Sequence, residues 1–217
     1  MTDISKLYSE RFPESDHAGR QRIWQALCEG FFDDLVGADA TVLDIACGYG
    51  EFINAVRCRE RIAIDINPDA KKFLRPDVTF FNQSCLRMDS IADESVDVAF
   101  ESNFFEHLAS KDEVRSVVEE VRRKLRPGGR FIMLQPNVRY VGGAYWDFWD
   151  HLVPMTERSL AELLVNSGFR IHKMIPRFLP YTTRSRIPQH PWLVRLYLKV
   201  PAVWKILGKQ FLVVAEK

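Results

Sequence analysis

The chain has 217 residues, 47% of them apolar and 27% charged, with a formal net charge of +1. That size and balance suit one α/β domain with a sizeable core, and the near-zero charge gives no global field favouring nucleic acid or an acidic partner. No apolar run reaches the roughly 18 residues of a membrane span, and the polar start "MTDISKLYSERF" lacks the apolar core of a secretory leader. The four cysteines (Cys28, Cys47, Cys58, Cys85) form no C-x-x-C pair, which argues against a disulfide framework or a zinc site and suits a cytoplasmic location.

Between Gln21 and Val36, the residues Trp24, Leu27, Phe31 and Leu35 recur at helical spacing and predict an amphipathic helix. "ATVLDIA" reads as a first strand and "EFINAVR" as the helix after it. "RIAIDI" is a second strand, closing on Asp65, and Pro68 suits the first turn of a following helix. "DVTFF" and "SVDVAFE" are strands three and four. From Lys111 to Leu125 a stripe of Val114, Val117, Val118, Val121 and Leu125 marks the clearest helix, with Ser110 as its cap. Asp112 and Glu113 suit one end of its dipole, and Arg122, Arg123 and Lys124 the other. "RPGG" is expected to stop that helix before a fifth strand, "RFIMLQ". "ERSLAELLVNSGF" is a helix ended by Gly168, and "FRIHKMI" and "QFLVVAEK" are the last two strands.

Strands alternating with helices imply a parallel sheet covered on both faces. The expected organisation is a single domain over 1–217. Within it lie a helical cap at 1–39, a core at 40–176, a basic aromatic insertion at 177–209 and a last strand at 210–217. The first 20 residues and the stretch 136–155 read as loops or lids.

The stretch "VLDIACGYGEF" is a strand, a tight turn and a helix start. Glycines there let backbone approach a ligand closely. A dinucleotide fingerprint fails, because Gly48 and Gly50 fit but the third position is Ile53; a Walker A loop fails for want of Gly-Lys-Ser/Thr. Asp44, just before the turn, repels a pyrophosphate and attracts an ammonium group. Asp65 ends the next strand 21 positions later, where an acid takes a ribose diol. A ligand with an amine and a ribose but no phosphate is S-adenosylmethionine.

These residues resemble the class I S-adenosylmethionine-dependent methyltransferases, in particular a small bacterial type-11-like group. Asp44 to Gly50 is similar to that family's first motif and Asp65 to its ribose-binding acid. "SVDVAFESNFFEHL", "LRPGGRFIMLQPN" and "TERSLAELLVNSGFRI" resemble its later motifs. The resemblance implies an α/β, Rossmann-like, doubly wound seven-stranded sheet in three αβα layers, mostly parallel with the last strand antiparallel. It implies a cofactor site at Asp44, Ala46, Cys47, Gly48, Gly50, Asp65, Ile66, Ser84, Cys85, Glu101 and Asn103, with S-adenosylhomocysteine as product. Where the family often carries an acid beside the adenine, this chain has "NQSCLRM", so Ser84 or Cys85 stands there.

Such a fold binds ligands beyond the carboxyl ends of its strands. "FFEHL" supplies Glu106 and His107 after strand four, and His107 is a candidate base because imidazole titrates near neutrality; the competing role is ordering the loop by hydrogen bonding to backbone. "AYWDFWDHLVP" follows strand five with two tryptophans, Asp147, Asp150 and His151. The catalytic candidates are His107, Asp147 and His151. No metal is expected: some sugar methyltransferases hold one with acidic ligands, but a second matching acid is lacking here. Tyr8 and Arg11 are candidates to close the pocket.

The insertion 177–209 carries Arg177, Arg184, Arg186, Arg195, Lys199, Lys205 and Lys209 with no Asp or Glu, and Tyr181, Trp192, Tyr197 and Trp204 lie among them. It reads as a pocket for an anionic small-molecule acceptor, as a peripheral membrane contact, or as a helical cover with solvated cations. No nucleic-acid module is present. The expected activity is O-methylation of a small molecule: a saccharide, a lipid-linked or nucleotide-linked sugar, or a secondary-metabolite intermediate. N-methylation is the nearest alternative, and a cofactor-binding protein without transfer activity is the other. The sequence does not address the oligomeric state.

Overall fold

The computed structural model describes residues 17–181 and 190–217. Tyr8, Arg11, Arg184 and Arg186 lie outside them. Seven strands form one sheet in the order β3-β2-β1-β4-β5-β7-β6. They are β1 (Thr41–Ile45), β2 (Glu60–Asp65), β3 (Val78–Asn82), β4 (Val96–Ser102), β5 (Leu125–Pro136), β6 (Arg170–Ile175) and β7 (Gln210–Glu216). The described residues fall into two compact units, one of residues 17–84 and 190–199, the other of 85–181 and 200–217.

In the first unit β1 pairs parallel with β2, and β2 parallel with β3. All five residues of β1 are buried, as expected of a short apolar run inside a parallel sheet. Helix α1 (His17–Leu27) begins four residues ahead of the periodicity and does not run straight on. Cys28–Phe32 is a π-helical turn, and α2 (Asp33–Val36) follows it. The turn holds Gly30, where an added Cβ would come within 2.8 Å of Leu198 Cδ1. Glycine therefore lets α7 (Pro191–Leu198) press onto α1. Trp24 stacks on Phe32, and both meet the ring of Phe52 edge-on, Phe32 and Phe52 5.9 Å apart. Phe52 lies on α3 (Glu51–Ala55), the helix that follows the glycine turn.

In the second unit β4 pairs parallel with β5, and β7 lies antiparallel to both β5 and β6. Helix α4 (Lys111–Lys124) is capped by Ser110 Oγ, which accepts from the Glu113 amide at 3.2 Å, and buries Val114, Val117, Val118 and Val121. Instead of standing as a turn between helix and strand, "RPGG" lies inside β5. Leu125 already pairs with Val96, and the register then jumps to Arg130 opposite Val98. Gly128, at φ 76°, lets the intervening residues bulge out. The stretch after β5 is more regular than the expected lid. It contains α5 (Val138–Val141) and a 3-10 turn over Gly142–Asp147. Helix α6 (Glu157–Asn166) starts on a Thr156–Ser159 capping box, and α8 (Pro201–Leu207) precedes β7. Among the described residues no helix is long and apolar enough to cross a membrane.

Candidate active site

The first unit carries a turn that three left-handed residues shape. Ala46 (φ 52°), Gly48 (φ 55°) and Gly50 (φ 73°) fold the chain back between β1 and α3. The Gly50 amide closes the turn on Cys47 O at 2.8 Å, and the Cys47 amide reaches Ile64 O of β2 at 3.1 Å. Asp65 Oδ2 accepts from the Gly48 amide at 2.8 Å, and its Oδ1 from the Asn67 amide at 2.7 Å. One carboxylate thus joins the glycine turn to the end of β2. The Ile66 amide also bears on this carboxylate, and the acceptor capacity that the amides leave can take a ribose hydroxyl. Ile66, next in sequence, is 53% exposed and offers an apolar surface beside that acid.

Asp44 is 3% exposed at the end of β1. Burial, and then the charges of Glu51 and Asp65, push its carboxyl well above the usual range. Burial likewise raises Asp65, against the opposing pull of the amides it accepts from. The Cys47 thiol rises for the same reasons and is no nucleophile. Arg20 Nε meets Glu51 Oε1 at 2.9 Å. Three acids thus surround one glycine turn, and a sulfonium or an ammonium placed beside it would favour the ionised forms of Asp44 and Asp65. Ser84 is exposed just past β3, and Cys85 opens the second unit with a buried thiol.

In the second unit Glu101 lies at the end of β4 and Asn103 just past it. The Glu101 carboxylate is fully buried and hydrogen-bonded to Gln135 of β5. Asn103, at φ 51°, takes the Gln210 amide on its Oδ1, while its own amide N–H donates to Leu134 O at 2.9 Å. Both side chains brace the strand ends.

Beyond them, Phe105–His107 forms a 3-10 turn. The Glu106 carbonyl accepts from the amides of Leu152 at 2.7 Å and Val153 at 3.2 Å, which ties the later loop to this turn. His107 Nδ1 lies 2.9 Å from Asp150 Oδ2, and 30% of the His107 side chain remains exposed. The His151 ring is 5.0 Å from that of His107, stacks on Phe148 at 4.7 Å and lies 4.8 Å from Tyr145. Glu106, Tyr145 and His151 are all buried. Burial, and then the Glu106 charge, push the Tyr145 phenol up. His107 and His151 are thus brought together. The third catalytic candidate, Asp147, is exposed on its 3-10 turn, and the carboxylate that meets His107 is Asp150. The roles of Asp150, Glu106 and Tyr145 carried no distinguishing spacing in the sequence.

Two cations of the insertion have structural partners. Arg195 pairs with Glu29 at 2.8 Å. Arg177 donates to Gly208 O and Ile206 O and stacks 4.6 Å over Tyr140.

A family model described as a methyltransferase domain matches residues 43–133. No curated protein matches the chain. Among solved structures, an S-adenosylmethionine-dependent methyltransferase from Archaeoglobus fulgidus is similar at TM-score 0.69 and 21% identity, over 99% of this chain and 100% of that one. A chain of the complex between the Haloferax volcanii Trm112 methyltransferase activator and a methyltransferase matches at 0.69 and 15%, over 97% of each. A Thermotoga maritima protein described as a possible histamine N-methyltransferase matches at 0.69 and 14%, over 97% and 99%. At these identities the likeness is one of fold.

Proposed function

We propose that this chain, a class I S-adenosylmethionine-dependent methyltransferase by its matched domain and its fold, methylates a hydroxyl of a small molecule. The single observation that carries the choice of oxygen is the 2.9 Å contact between His107 Nδ1 and Asp150 Oδ2. A neutral amine needs only alignment, whereas a hydroxyl needs its proton removed or weakened. A carboxylate fixed on one ring nitrogen leaves the other, Nε2, as the presented lone pair, and it stabilises positive charge gathering there.

The cofactor's sulfonium supplies an activated methyl group, so the protein need not make an electrophile. Asp65 is the group to hold the ribose diol, with Ile66 against the adenine. Asp44 and the Ala46–Gly50 turn suit the positively charged methionine end. Ser84 and Cys85 remain candidates for adenine contacts. Glu101 and Asn103 support the cofactor site through the strand ends they brace. His107 is the residue to act at the acceptor oxygen, through Nε2 directly or through a group that nitrogen holds, and the buried His151 backs it. Asp147 is assigned to the rim, where its exposed carboxylate reaches acceptor hydroxyls.

An acceptor screen with labelled S-adenosylmethionine tests this reading. Label should appear in a methyl ether of a saccharide or other hydroxylated compound and fall in Asp150→Asn. Label recovered on nitrogen, with Asp150→Asn as active as the parent, would give the N-methylation reading instead. Cofactor binding with no S-adenosylhomocysteine released would leave a binding protein without transfer.

A membrane contact is the second reading, favoured by what each insertion helix exposes. On α7, Trp192 and Leu196 are exposed, and on α8 Ile206 and Leu207, with Lys199 and Lys205 nearby in sequence. Sedimentation with anionic liposomes at physiological salt, lost in Lys199→Glu/Lys205→Glu, is the expected result; equal sedimentation with neutral liposomes would count against it.

A further inference from the structure

We propose that Glu106, His107 and His151 bind one first-row divalent transition-metal ion. Their donor atoms all lie within 4.8 Å of one another. Two donors on one ion, each at about 2.1 Å, stand at most about 4.2 Å apart. Three donors at octahedral or tetrahedral angles stand about 3.0–3.4 Å apart, so the set closes by drawing in by up to about 1.5 Å, which side-chain torsions can supply. No metal was expected from the sequence because no second matching acid was read there, and His151 lies 44 positions after His107.

The surroundings are built as a metal site's are. The two amides donated to the Glu106 carbonyl lock the loop bearing His151 onto the turn bearing the other two ligands. Asp150 takes Nδ1 of His107, which fixes the ring and leaves Nε2 to the ion. Phe148 stacks flat on His151 and holds that ring in place. Tyr145 is fully buried, and its hydroxyl has no hydrogen-bond partner among the described residues. It lies against His151 and close enough to Glu106 to feel that charge. A buried phenol without a partner calls for one, and an ion-bound water supplies it. The carboxylates of Glu106 and Asp150, set against two imidazoles, leave negative charge that a dication offsets.

Two imidazoles and one carboxylate select manganese, iron, cobalt or zinc over magnesium or calcium, which prefer all-oxygen shells. Three protein ligands leave positions for an acceptor oxygen. An ion there lowers the pKa of a bound hydroxyl, so the proton leaves to water before the oxygen attacks. That role rests on the proposed O-methylation. The binding of the ion does not, so the two are measured apart.

The test is calorimetric titration of the chelator-treated protein with Mn2+ and Zn2+, alongside the visible spectrum on adding Co2+. One ion per chain is expected, with cobalt bands of a site containing nitrogen ligands and an upward thermal shift. Glu106→Gln and His151→Gln should each weaken Mn2+ binding at least tenfold, and Asp150→Asn should weaken it less. A thermal shift with S-adenosylmethionine, retained in each variant, shows that it is folded. Should a variant fail that check, His107→Gln, at the half-exposed ligand, takes its place. No saturable binding, magnesium preferred over manganese, or variants that bind as the parent does would each overturn the proposal. Metal binding without hydroxyl methylation would leave the site standing and remove the proposed reaction.

Discussion

Asp65 Oδ2 takes the Gly48 amide at 2.8 Å, so the acid expected to hold a ribose also holds the glycine turn in shape. Removing it does two things at once. Asp65→Ala orphans the amides of Gly48 and Asn67 and deletes the ribose acceptor. Cofactor affinity should fall by about 1–3 kcal/mol, and stability by a similar order. Asp65→Asn keeps one acceptor oxygen and should restore part of the stability while leaving affinity low. Calorimetry with S-adenosylmethionine and a urea melt separate the two. Unchanged affinity in Asp65→Ala would remove Asp65 from the cofactor site.

The buried Asp44 predicts a pH dependence with a definite sign. Its folded-state pKa lies above its unfolded value because of burial and the charges of Glu51 and Asp65. Between those values the folded chain binds more protons than the unfolded one, so the cofactor-free protein loses stability as pH rises from about 4 towards the folded pKa. A cationic ligand prefers the ionised form, so cofactor affinity should rise with pH over the same window, with proton release on binding. Asp44→Asn should flatten both slopes, leaving the smaller contribution of Asp65, which is shifted in the same direction. Calorimetry at pH 5 and pH 7 in buffers of differing ionisation enthalpy reads this directly. Equal affinity and equal proton release in parent and variant would contradict it.

Gly50 sits at φ 73°, and a Cβ there would approach Leu74 Cδ2 to 2.2 Å. The Leu74 side chain can swing aside, but the left-handed backbone still costs alanine about 1–2 kcal/mol. Gly50→Ala should lower stability by that amount, and weaken cofactor binding as the turn that includes the Gly48 amide shifts. A variant as stable as the parent would mean that the turn relaxes freely.

His107 and Asp150 give a split between binding and turnover. In His107→Ala, turnover should drop about 100-fold or more, the usual worth of a group acting on a proton in the transition state, with cofactor affinity within about twofold of the parent. Asp150→Asn keeps an oxygen near Nδ1 but loses the charge, and should fall between. Equal losses of turnover and cofactor affinity in His107→Ala would assign the imidazole to ordering its loop.

The strand–helix alternation, the glycine turn and the stripe of α4 were legible because each depends on local periodicity or backbone chirality. Asp44 and Asp65 were legible because their places follow from where strands end. The Glu106–His107–His151 cluster was only half so. His107 follows β4 directly, but the choice of Asp150 over Asp147 depends on how a 3-10 turn and the Glu106 carbonyl set the loop, and no spacing encodes that. Glu101 and Asn103 were expected as cofactor contacts from the resemblance of their motif; what their side chains meet, Gln135 and Gln210, depends on the neighbouring strand β5 and on a residue over 100 positions away. For the cations of 177–209 the sequence left a pocket, a membrane contact and a solvated cover open, and only the fold shows that Arg195 and Arg177 have partners within it. The π-turn at Cys28–Phe32 adds one residue, so beyond it the buried positions are Phe32 and Val36 in place of the expected Phe31 and Leu35, a shift that a regular 3.6-residue spacing does not encode.

That π-turn supplies the last prediction. Gly30 faces Leu198, and a Cβ at position 30 would stand 2.8 Å from Leu198 Cδ1. Leu198 is the buried residue of α7, so it cannot simply turn to solvent. Gly30→Ala should therefore destabilise by about 1–3 kcal/mol through overpacking, despite alanine's better helix propensity. Leu198→Ala alone should cost about 2–4 kcal/mol by leaving a cavity. The double variant should cost clearly less than the sum, because the new methyl fills space that the shortened side chain vacates. Chemical denaturation of the four proteins gives the coupling. Strict additivity would mean that the two residues do not touch in solution, and that the contact between α1 and α7 is set elsewhere.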